Sequence, residues 1–195
     1  MATIDCPVLG TWTNGGTSIQ LGKDGNILVN AADTYSFLVW ESGSTHQLIT
    51  VNNSGVVDIY SFVVTSTALI LTGSGSLAGS YMGTISPGPL SLSNDFLNAW
   101  NAIDPASAAS WRWLFQFGGD GIVTTTHLAM QHTFANAYAV RMTGASPDSG
   151  YLVIRGQMRY NPDPILSKWE VSAANEIKAS EAVAGGHALT FTKIT

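Results

Sequence analysis

The sequence has little charge and no long apolar run. Only 11% of its 195 residues are charged, whereas 45% are hydrophobic. Its surface must therefore consist largely of Ser, Thr, Asn and Gly, a composition that favours a β-rich protein. The longest apolar run, around residues 68–71, is far shorter than the roughly 18 residues of a membrane-spanning helix. We therefore expect no membrane partner.

Basic residues are also scarce. The chain has eight Lys and Arg against 13 Asp and Glu, which gives a formal net charge of −5. The sequence contains no run of basic residues, and the negative net charge would repel a phosphate backbone. We therefore expect no nucleic-acid partner.

Cysteine occurs once, at Cys6, so an internal disulfide is excluded. A single unpaired thiol fits a reducing compartment, and such a residue is usually a small buried hydrophobe rather than a nucleophile. The first residues, MATIDCPVLGTW, have no basic start and reach Asp5 before any apolar stretch. They do not resemble a signal peptide, and we expect a cytoplasmic protein.

Several motifs of enzyme chemistry are missing from the sequence. It contains no Gly-x-Ser-x-Gly elbow, phosphate loop or dinucleotide fingerprint. His127 and His132 are five residues apart, which places them on opposite faces of a strand and outside the i, i+4 spacing of a helical zinc pair. We therefore expect no metal and no cofactor. If a histidine is catalytic, His127 is the best placed, because its strand leaves an aromatic hairpin towards an end of the sheet.

Turn signals rich in Gly, Asn and Asp recur along the whole chain, as in Asn14-Gly15-Gly16 and Asp120-Gly121. Such pairs supply the positive φ angles of tight hairpins between short antiparallel strands. A dozen candidate strands lie between them: 17–21, 27–31, 35–40, 47–51, 56–64, 68–72, 111–117, 122–127, 138–143, 151–160, 168–173 and 188–194. So many strands favour a closed sheet. We predict an all-β fold with one antiparallel up-and-down barrel over 1–195.

One helix is predicted within a small-residue link that covers 73–110. Phe96, Leu97, Trp100 and Ile103 follow Ser93 at helical spacing, which indicates a helix around 93–103. The link separates two similar strings, SIQLGKDG at 18–25 and LFQFGGDG at 114–121. Internal duplication and convergent hairpin chemistry explain this match about equally well.

The two ends of the chain resemble a known superfamily. Gly10-Thr11-Trp12-Thr13-Asn14, with Asp24-Gly25 further on, is similar to the first hairpin of calycin barrels, which include lipocalin-like and avidin-like proteins; the final strand at 189–194 is similar to their last. The resemblance implies that these strands pair, with Trp12 under Lys193 in a cation–π contact. It also implies ligand contacts for Asn14 and Ser18. Because the Gly15-Gly16 pair alters that loop, the resemblance implies a barrel with a ligand-holding mouth but does not imply biotin as the ligand.

An aromatic ladder runs along residues 110–117. Trp111, Trp113, Phe115 and Phe117 share one strand face, and leaving four large rings in water would forgo roughly 1.5–3 kcal/mol for each. The rings should therefore point inward, either as core or as the wall of a pocket. The pocket hypothesis takes as its lining Trp40, Tyr60, Trp111, Trp113 and Phe115.

Polar groups near these strands are the candidates for catalysis. On the strand at 151–160, Tyr151, Arg155 and Arg159 share a face, which either solubilises the outside or forms a donor cluster inside. Asp58 alternates with Tyr60 and either points inward or protects an edge strand.

Three functions follow from these patterns. In the first, the barrel binds a small apolar or amphipathic molecule in its aromatic interior. In the second, it is a cofactor-free cyclase or isomerase, as some barrels related to calycins are, in which Arg155, Tyr151, Asp58 or His127 acts on the substrate. In the third, it is a carbohydrate-binding lectin. Whether the protein is an enzyme stays open, and its six tryptophans and low charge point to a homo-oligomer.

Overall fold

The computed structural model describes residues 5–94, 96–103, 112–143, 149–156, 164–181 and 188–194. The chain divides into two compact units, Met1–Ser93 and Asn94–Thr195. Each unit contains one closed barrel of eight antiparallel strands. The predicted all-β antiparallel barrel fold is confirmed, but the chain closes two such barrels where the sequence indicated one.

The first unit is an up-and-down barrel in which each strand pairs with the next and the eighth returns to the first. Its strands are β1 Gly10–Asn14, β2 Thr17–Leu21, β3 Asn26–Val29, β4 Ala32–Ser42, β5 Thr45–Asn52, β6 Val57–Val64, β7 Ala68–Thr72 and β8 Gly79–Ile85.

The second unit repeats this topology, with its last strand paired to its first. Its strands are β9 Asn98–Ile103, β10 Arg112–Phe117, β11 Ile122–His127, β12 His132–Met142, β13 Ser149–Arg155, β14 Ile165–Ala173, β15 Glu176–Glu181 and β16 Ala188–Lys193. In both units we call the end at which the even-numbered strands begin the upper end.

The similar strings at 18–25 and 114–121 form equivalent hairpins of the two barrels. Gly25 and Gly121 have φ angles of 78° and 80°, a conformation that favours glycine. Asp24 Oδ1 accepts a hydrogen bond from the Asn26 N–H at 3.2 Å, and Asp120 Oδ1 accepts one from the Ile122 N–H at 3.1 Å. The same local chemistry therefore turns the chain at the same place in each barrel.

A tryptophan on the first strand of each barrel strengthens this equivalence. Trp12 Nε1 donates to the Val8 carbonyl at 3.1 Å, and Trp100 Nε1 donates to the Phe96 carbonyl at 2.8 Å. Both rings are buried in their own lumen. The two units thus repeat one architecture.

The helix predicted around 93–103 is wrong, because residues 98–103 form β9. Trp100 and Ala102 are buried whereas Asn101 and Ile103 are exposed, which is the alternation of a strand. Phe96 lies before β9, where its ring packs 5.1 Å from that of Phe117. The helical spacing in the sequence therefore combined two residues with different places in the barrel. Trp100 lines the lumen from β9, and Phe96 packs against the lumen rings from the segment before that strand.

The predicted contact between Trp12 and Lys193 is also wrong. β1 pairs with β8, which places Trp12 opposite Gly83. Lys193 lies opposite Trp100 in the ladder of β16 and β9, and its Nζ is 5.9 Å from the centroid of that ring. The contact that the calycin resemblance implied thus occurs within the second barrel, because each barrel closes on its own first strand.

Candidate functional site

The lower half of the second lumen is filled by aromatic rings. Phe96 is in edge contact with Trp169, with 5.2 Å between ring centroids, and Phe117 contacts Tyr138 at 5.0 Å. Phe115 contacts Phe191 at 5.1 Å. All of these side chains are buried. This half is packed core, which is one of the two arrangements predicted for the aromatic ladder.

Above these rings the second lumen contains a cavity of about 40 Å³. Most of its wall is apolar: Trp113, Phe115, Leu152, Ile154, Ile165, Ala179, Leu189 and Phe191. The polar members of the wall are Ser167 and Glu181, which lie directly opposite each other in the ladder of β14 and β15. One water molecule needs a cavity volume of about 10–15 Å³, so this cavity has space for about three atoms of the size of a water oxygen.

A second polar group faces the same lumen from β11 and β12. Asn136 Nδ2 donates to Thr125 Oγ1 at 3.1 Å, and both residues are buried. Asn136 Oδ1 is buried without a hydrogen-bond partner among the described atoms. A Cβ on Gly156 would overlap this oxygen, so the glycine at this position leaves space for the Asn136 amide.

His127 lies at the upper end of this lumen. It faces Trp113 across the ladder of β10 and β11, with the two rings in edge contact at 4.8 Å. Its Nδ1 accepts a hydrogen bond from the Met130 N–H at 3.2 Å. The ring is buried at 4% exposure. His127 is the last residue of β11, so it lies at one end of the barrel.

The register gives the equivalent positions of the first barrel. Trp12 and Trp100 are matched by their shared geometry, and stepping from them through the strand pairs aligns Tyr60 with Ser167 and Leu71 with Ala179. Gly73 takes the place of Glu181 by the same count. Tyr60 and Leu71 are buried at 0% and 2% exposure. The first lumen therefore holds large side chains where the second holds Ser and Ala.

The loop between β7 and β8 covers the upper end of the first barrel. Leu77 in this loop is buried. Its N–H donates to Tyr60 Oη at 3.2 Å, and its carbonyl accepts from Tyr81 Oη at 3.0 Å. Tyr35 Oη and Ser76 Oγ are hydrogen-bonded at 2.7 Å. Three tyrosines from three strands thus hold residues 76–77 as a plug.

The structure divides the predicted ligand-lining residues between the two lumens. Trp113 and Phe115 line the second, and Tyr60 lines the first. Asn14 is exposed at the upper end of the first barrel, and Trp40 and Ser18 lie on strand faces opposite to those of its core residues. Trp111 lies outside the described residues.

The predicted catalytic residues are not brought together. Leu152 and Ile154 point into the second lumen, so Tyr151 and Arg155 lie on the outer face of β13. Asp58 belongs to the first barrel, where its Oδ2 accepts a hydrogen bond from Tyr60 Oη at 3.4 Å. Of the four candidates, His127 alone faces the second lumen. Arg159 is outside the described residues, and the lectin hypothesis stays a prediction.

Of the ten described residues in the cavity wall, the predicted lining named two, Trp113 and Phe115. Ala179 and Glu181 alternate with Lys178 and Ser180 on β15, a strand whose polar sequence EIKASE gave no apolar signal. Ser167 precedes the predicted start of its strand at residue 168. The signal available was the alternation of Ile177, Ala179 and Glu181 on one strand face. This alternation is weak, because Ala179 is small and Glu181 is charged.

Cys6 is buried at 5% exposure. Burial is the main cause that raises the pKa of its thiol to about 11. At neutral pH the thiol is therefore protonated, and the thiol form is a poor nucleophile. This environment agrees with the expectation of a small buried hydrophobe.

Membrane-spanning helices and metal-binding clusters are both absent from the described ranges. No helix there is long and apolar enough to cross a membrane. Nor do three or more His, Cys, Asp or Glu side chains of those ranges converge as a metal site. The chain matches no family model, no curated protein and no solved structure.

Proposed function

We propose that the second barrel binds a small amphipathic molecule in its upper lumen. The observation that carries this proposal is the cavity of about 40 Å³ between Phe115, Phe191 and Glu181. Ligand sites of this kind combine a mainly apolar wall with a few placed polar groups. The apolar part of the ligand lies against the rings and Leu152, and its polar end lies at Ser167 and Glu181.

The internal repeat supports this assignment. The same lumen position in the first barrel is filled by Tyr60 and Leu71. The barrel fold can therefore fill this position with ordinary side chains. A void in a core costs stability in proportion to its volume, about 24 cal/mol per Å³. In the second barrel the cavity lies next to polar groups, which is the arrangement expected of a binding site.

The size of the cavity limits the part of the ligand that it encloses. Space for about three atoms accommodates the head of a chain or ring rather than a whole lipid. The remainder of the ligand lies towards the upper end, where Trp113 and His127 border the lumen. We therefore expect ligands of about four to ten carbon atoms.

The test is a titration of the full chain with straight-chain alcohols of four to ten carbons, followed by tryptophan fluorescence. The Ala179→Leu variant places in the second lumen the residue that the first lumen has at that position. We expect a saturable signal from the wild type and none from Ala179→Leu. Trp113→Phe identifies the reporter, since its ring borders the cavity.

The matched control is Ala173→Leu, which makes the same substitution at an exposed position of β14. It should bind as the wild type does. Circular dichroism and thermal unfolding establish that each variant is folded. An equal response from Ala179→Leu, or no response of the wild type to any member of the series, contradicts the proposal.

A further inference from the structure

We infer that the polar end of the ligand is an uncharged hydroxyl group that donates a hydrogen bond to Ser167. This inference rests on the proposed function of the cavity and names the chemical class of its ligand. It starts from a difference between the ionisable and the uncharged polar side chains that face the second lumen.

The ionisable side chains Glu181, His127 and Lys193 are engaged within the protein. Glu181 lines the cavity, but its carboxylate already has an interaction partner in the chain. The His127 ring accepts a hydrogen bond from the Met130 N–H at 3.2 Å. Lys193 lies at the lower end of the lumen, with its Nζ 5.9 Å from the Trp100 ring centroid. These three groups therefore serve contacts of the fold rather than an ionic ligand.

Two uncharged polar groups of the same lumen lack a partner among the described atoms. Ser167 lines the cavity and is partly buried, and its Oγ forms no hydrogen bond with a described atom. Asn136 is 1% exposed, and its Oδ1 is likewise without a partner there. A serine hydroxyl and an amide oxygen both accept hydrogen bonds. Ser167 is the acceptor placed in the cavity wall, and an uncharged donor is sufficient to satisfy it.

The first barrel shows this interaction at the matching position. Tyr60 corresponds to Ser167, and its Oη accepts a hydrogen bond from the Leu77 N–H at 3.2 Å. The Leu77 side chain is buried in the same core at 3% exposure. A hydroxyl at this lumen position thus bonds an uncharged donor that is attached to an apolar group. An alcohol with a short carbon chain offers the same combination to Ser167.

The rest of the cavity wall disfavours an ionic head group. The rings of Trp113, Phe115 and Phe191 form part of the wall, and its described residues include no Lys or Arg. Moving an isolated ion from water into apolar surroundings costs far more than moving a hydroxyl that finds a hydrogen bond. A carboxylate meets no basic side chain in the described wall. An ammonium group would have to compete with the present partner of Glu181.

The experiment compares 1-butanol, n-butylamine and butyrate as probes of the full chain at neutral pH. The amine and the acid are ionised there, as lysine and glutamate side chains are. Binding is measured by the chemical shift of the Trp113 indole N–H in nuclear magnetic resonance spectra, since this ring borders the cavity. We expect 1-butanol to bind at least about tenfold more tightly than either ion, which corresponds to roughly 1.4 kcal/mol.

Ser167→Ala removes the hydroxyl, and 1-chlorobutane serves as a probe with the same carbon chain and no O–H donor. We expect the variant to weaken 1-butanol binding about three- to tenfold, the effect of one hydrogen bond, and not to weaken 1-chlorobutane binding. Ser180→Ala is the matched control, because Ser180 is exposed on the outer face of β15. It should bind both probes as the wild type does, and circular dichroism establishes that each variant is folded.

The outcomes separate this inference from the proposed function. If n-butylamine or butyrate binds as tightly as 1-butanol and Ala179→Leu blocks both, the pocket exists and the uncharged head group is overturned. If Ser167→Ala affects 1-butanol and 1-chlorobutane equally, the hydrogen bond to Ser167 is overturned. If no probe binds to the wild type, both the inference and the proposed function fail.

Discussion

The two barrels of this protein share a topology, a hairpin and a buried tryptophan, yet their lumens are packed differently. The first is filled by Tyr60 and Leu71 and covered by the plug at residues 76–77. The second has Ser167 and Ala179 at the matching positions and contains a cavity. The two lumens thus differ in side-chain size at two matching positions on neighbouring strands, and the cavity lies beside the smaller pair.

The comparison also shows what the polar groups of each barrel do. The tyrosine hydroxyls of the first barrel bond the backbone and side chains of its own plug. In the second barrel, Asn136 keeps a buried carbonyl oxygen without a partner among the described atoms. Buried polar groups are normally satisfied within a protein, and both barrels have exceptions among the described atoms: Gln47 Oε1 and Thr50 Oγ1 in the first, and Asn136 Oδ1 and Trp169 Nε1 in the second. The tyrosine hydroxyls of the first barrel therefore stabilise its plug, whereas the Asn136 side chain of the second barrel faces the lumen.

The largest expected effect comes from opening the first lumen. Leu71→Ala removes a side chain that is 2% exposed, and such truncations cost about 2–5 kcal/mol of unfolding free energy. The reverse change, Ala179→Leu, fills existing space and should alter stability by less than about 1.5 kcal/mol. Urea unfolding followed by circular dichroism measures both. A cost below about 1 kcal/mol for Leu71→Ala would show that the first barrel is not the more tightly packed.

An intermediate effect is expected at alkaline pH. Burial is the largest cause that raises the pKa of Tyr60 and of Tyr138 to about 12. The folded protein therefore retains phenol protons that the unfolded chain loses near pH 10. The stability that these two phenols contribute should be complete below pH 10 and fall as pH rises from about 10 towards 12, by up to about 1.4 kcal/mol per pH unit for each phenol.

Single variants assign this pH dependence to the two barrels. Tyr60→Phe and Tyr138→Phe should each remove one phenol's share of the slope between pH 10 and 12. Cys6, whose pKa is raised to about 11, adds a third group, which belongs to the first barrel. Urea unfolding at several pH values measures the slopes. Identical slopes for wild type and both variants would mean that neither phenol retains its proton in the folded state.

The smallest effect tests the repeated hairpin. Asp24→Ala and Asp120→Ala each remove a carboxylate that accepts a backbone N–H two residues further on. Each should cost about 1 kcal/mol, since a typical hydrogen bond contributes about 0.5–1.5 kcal/mol. The two losses should agree within about 0.5 kcal/mol. A difference above 1.5 kcal/mol would indicate that the hairpins are similar in sequence but carry unequal shares of their barrels' stability.

Some strands of the two barrels could be predicted from the sequence and others could not. Strands with bulky alternating residues, such as β10 and β6, stand out between their turns. β8, with the sequence GSYMGTI, lies in a segment interpreted as a small-residue link, because two of its residues are glycines. β15 is hidden by its polar residues. A barrel interior accepts small side chains where a large one stands opposite, so the size pattern of one strand is not informative alone.

The candidate site shows the same division. Trp113 and Phe115 were found because large alternating rings must be covered. Ser167, Ala179 and Glu181 were missed because their role depends on what surrounds them. A small residue marks a cavity only when its neighbours across the lumen fail to fill the space. Those neighbours include Trp113 and Phe115 of β10, a strand that is distant from β14 and β15 in the chain.

The sequence by itself determined the β-rich character, the hairpins at Asp24-Gly25 and Asp120-Gly121, and the inward direction of the ring ladder. These features are local, since turn chemistry and two-residue alternation act over a few residues. The tertiary structure decided that the strands close as two barrels and that one lumen keeps a cavity. Closure depends on which strand edges meet, and free volume depends on the summed size of side chains from many strands.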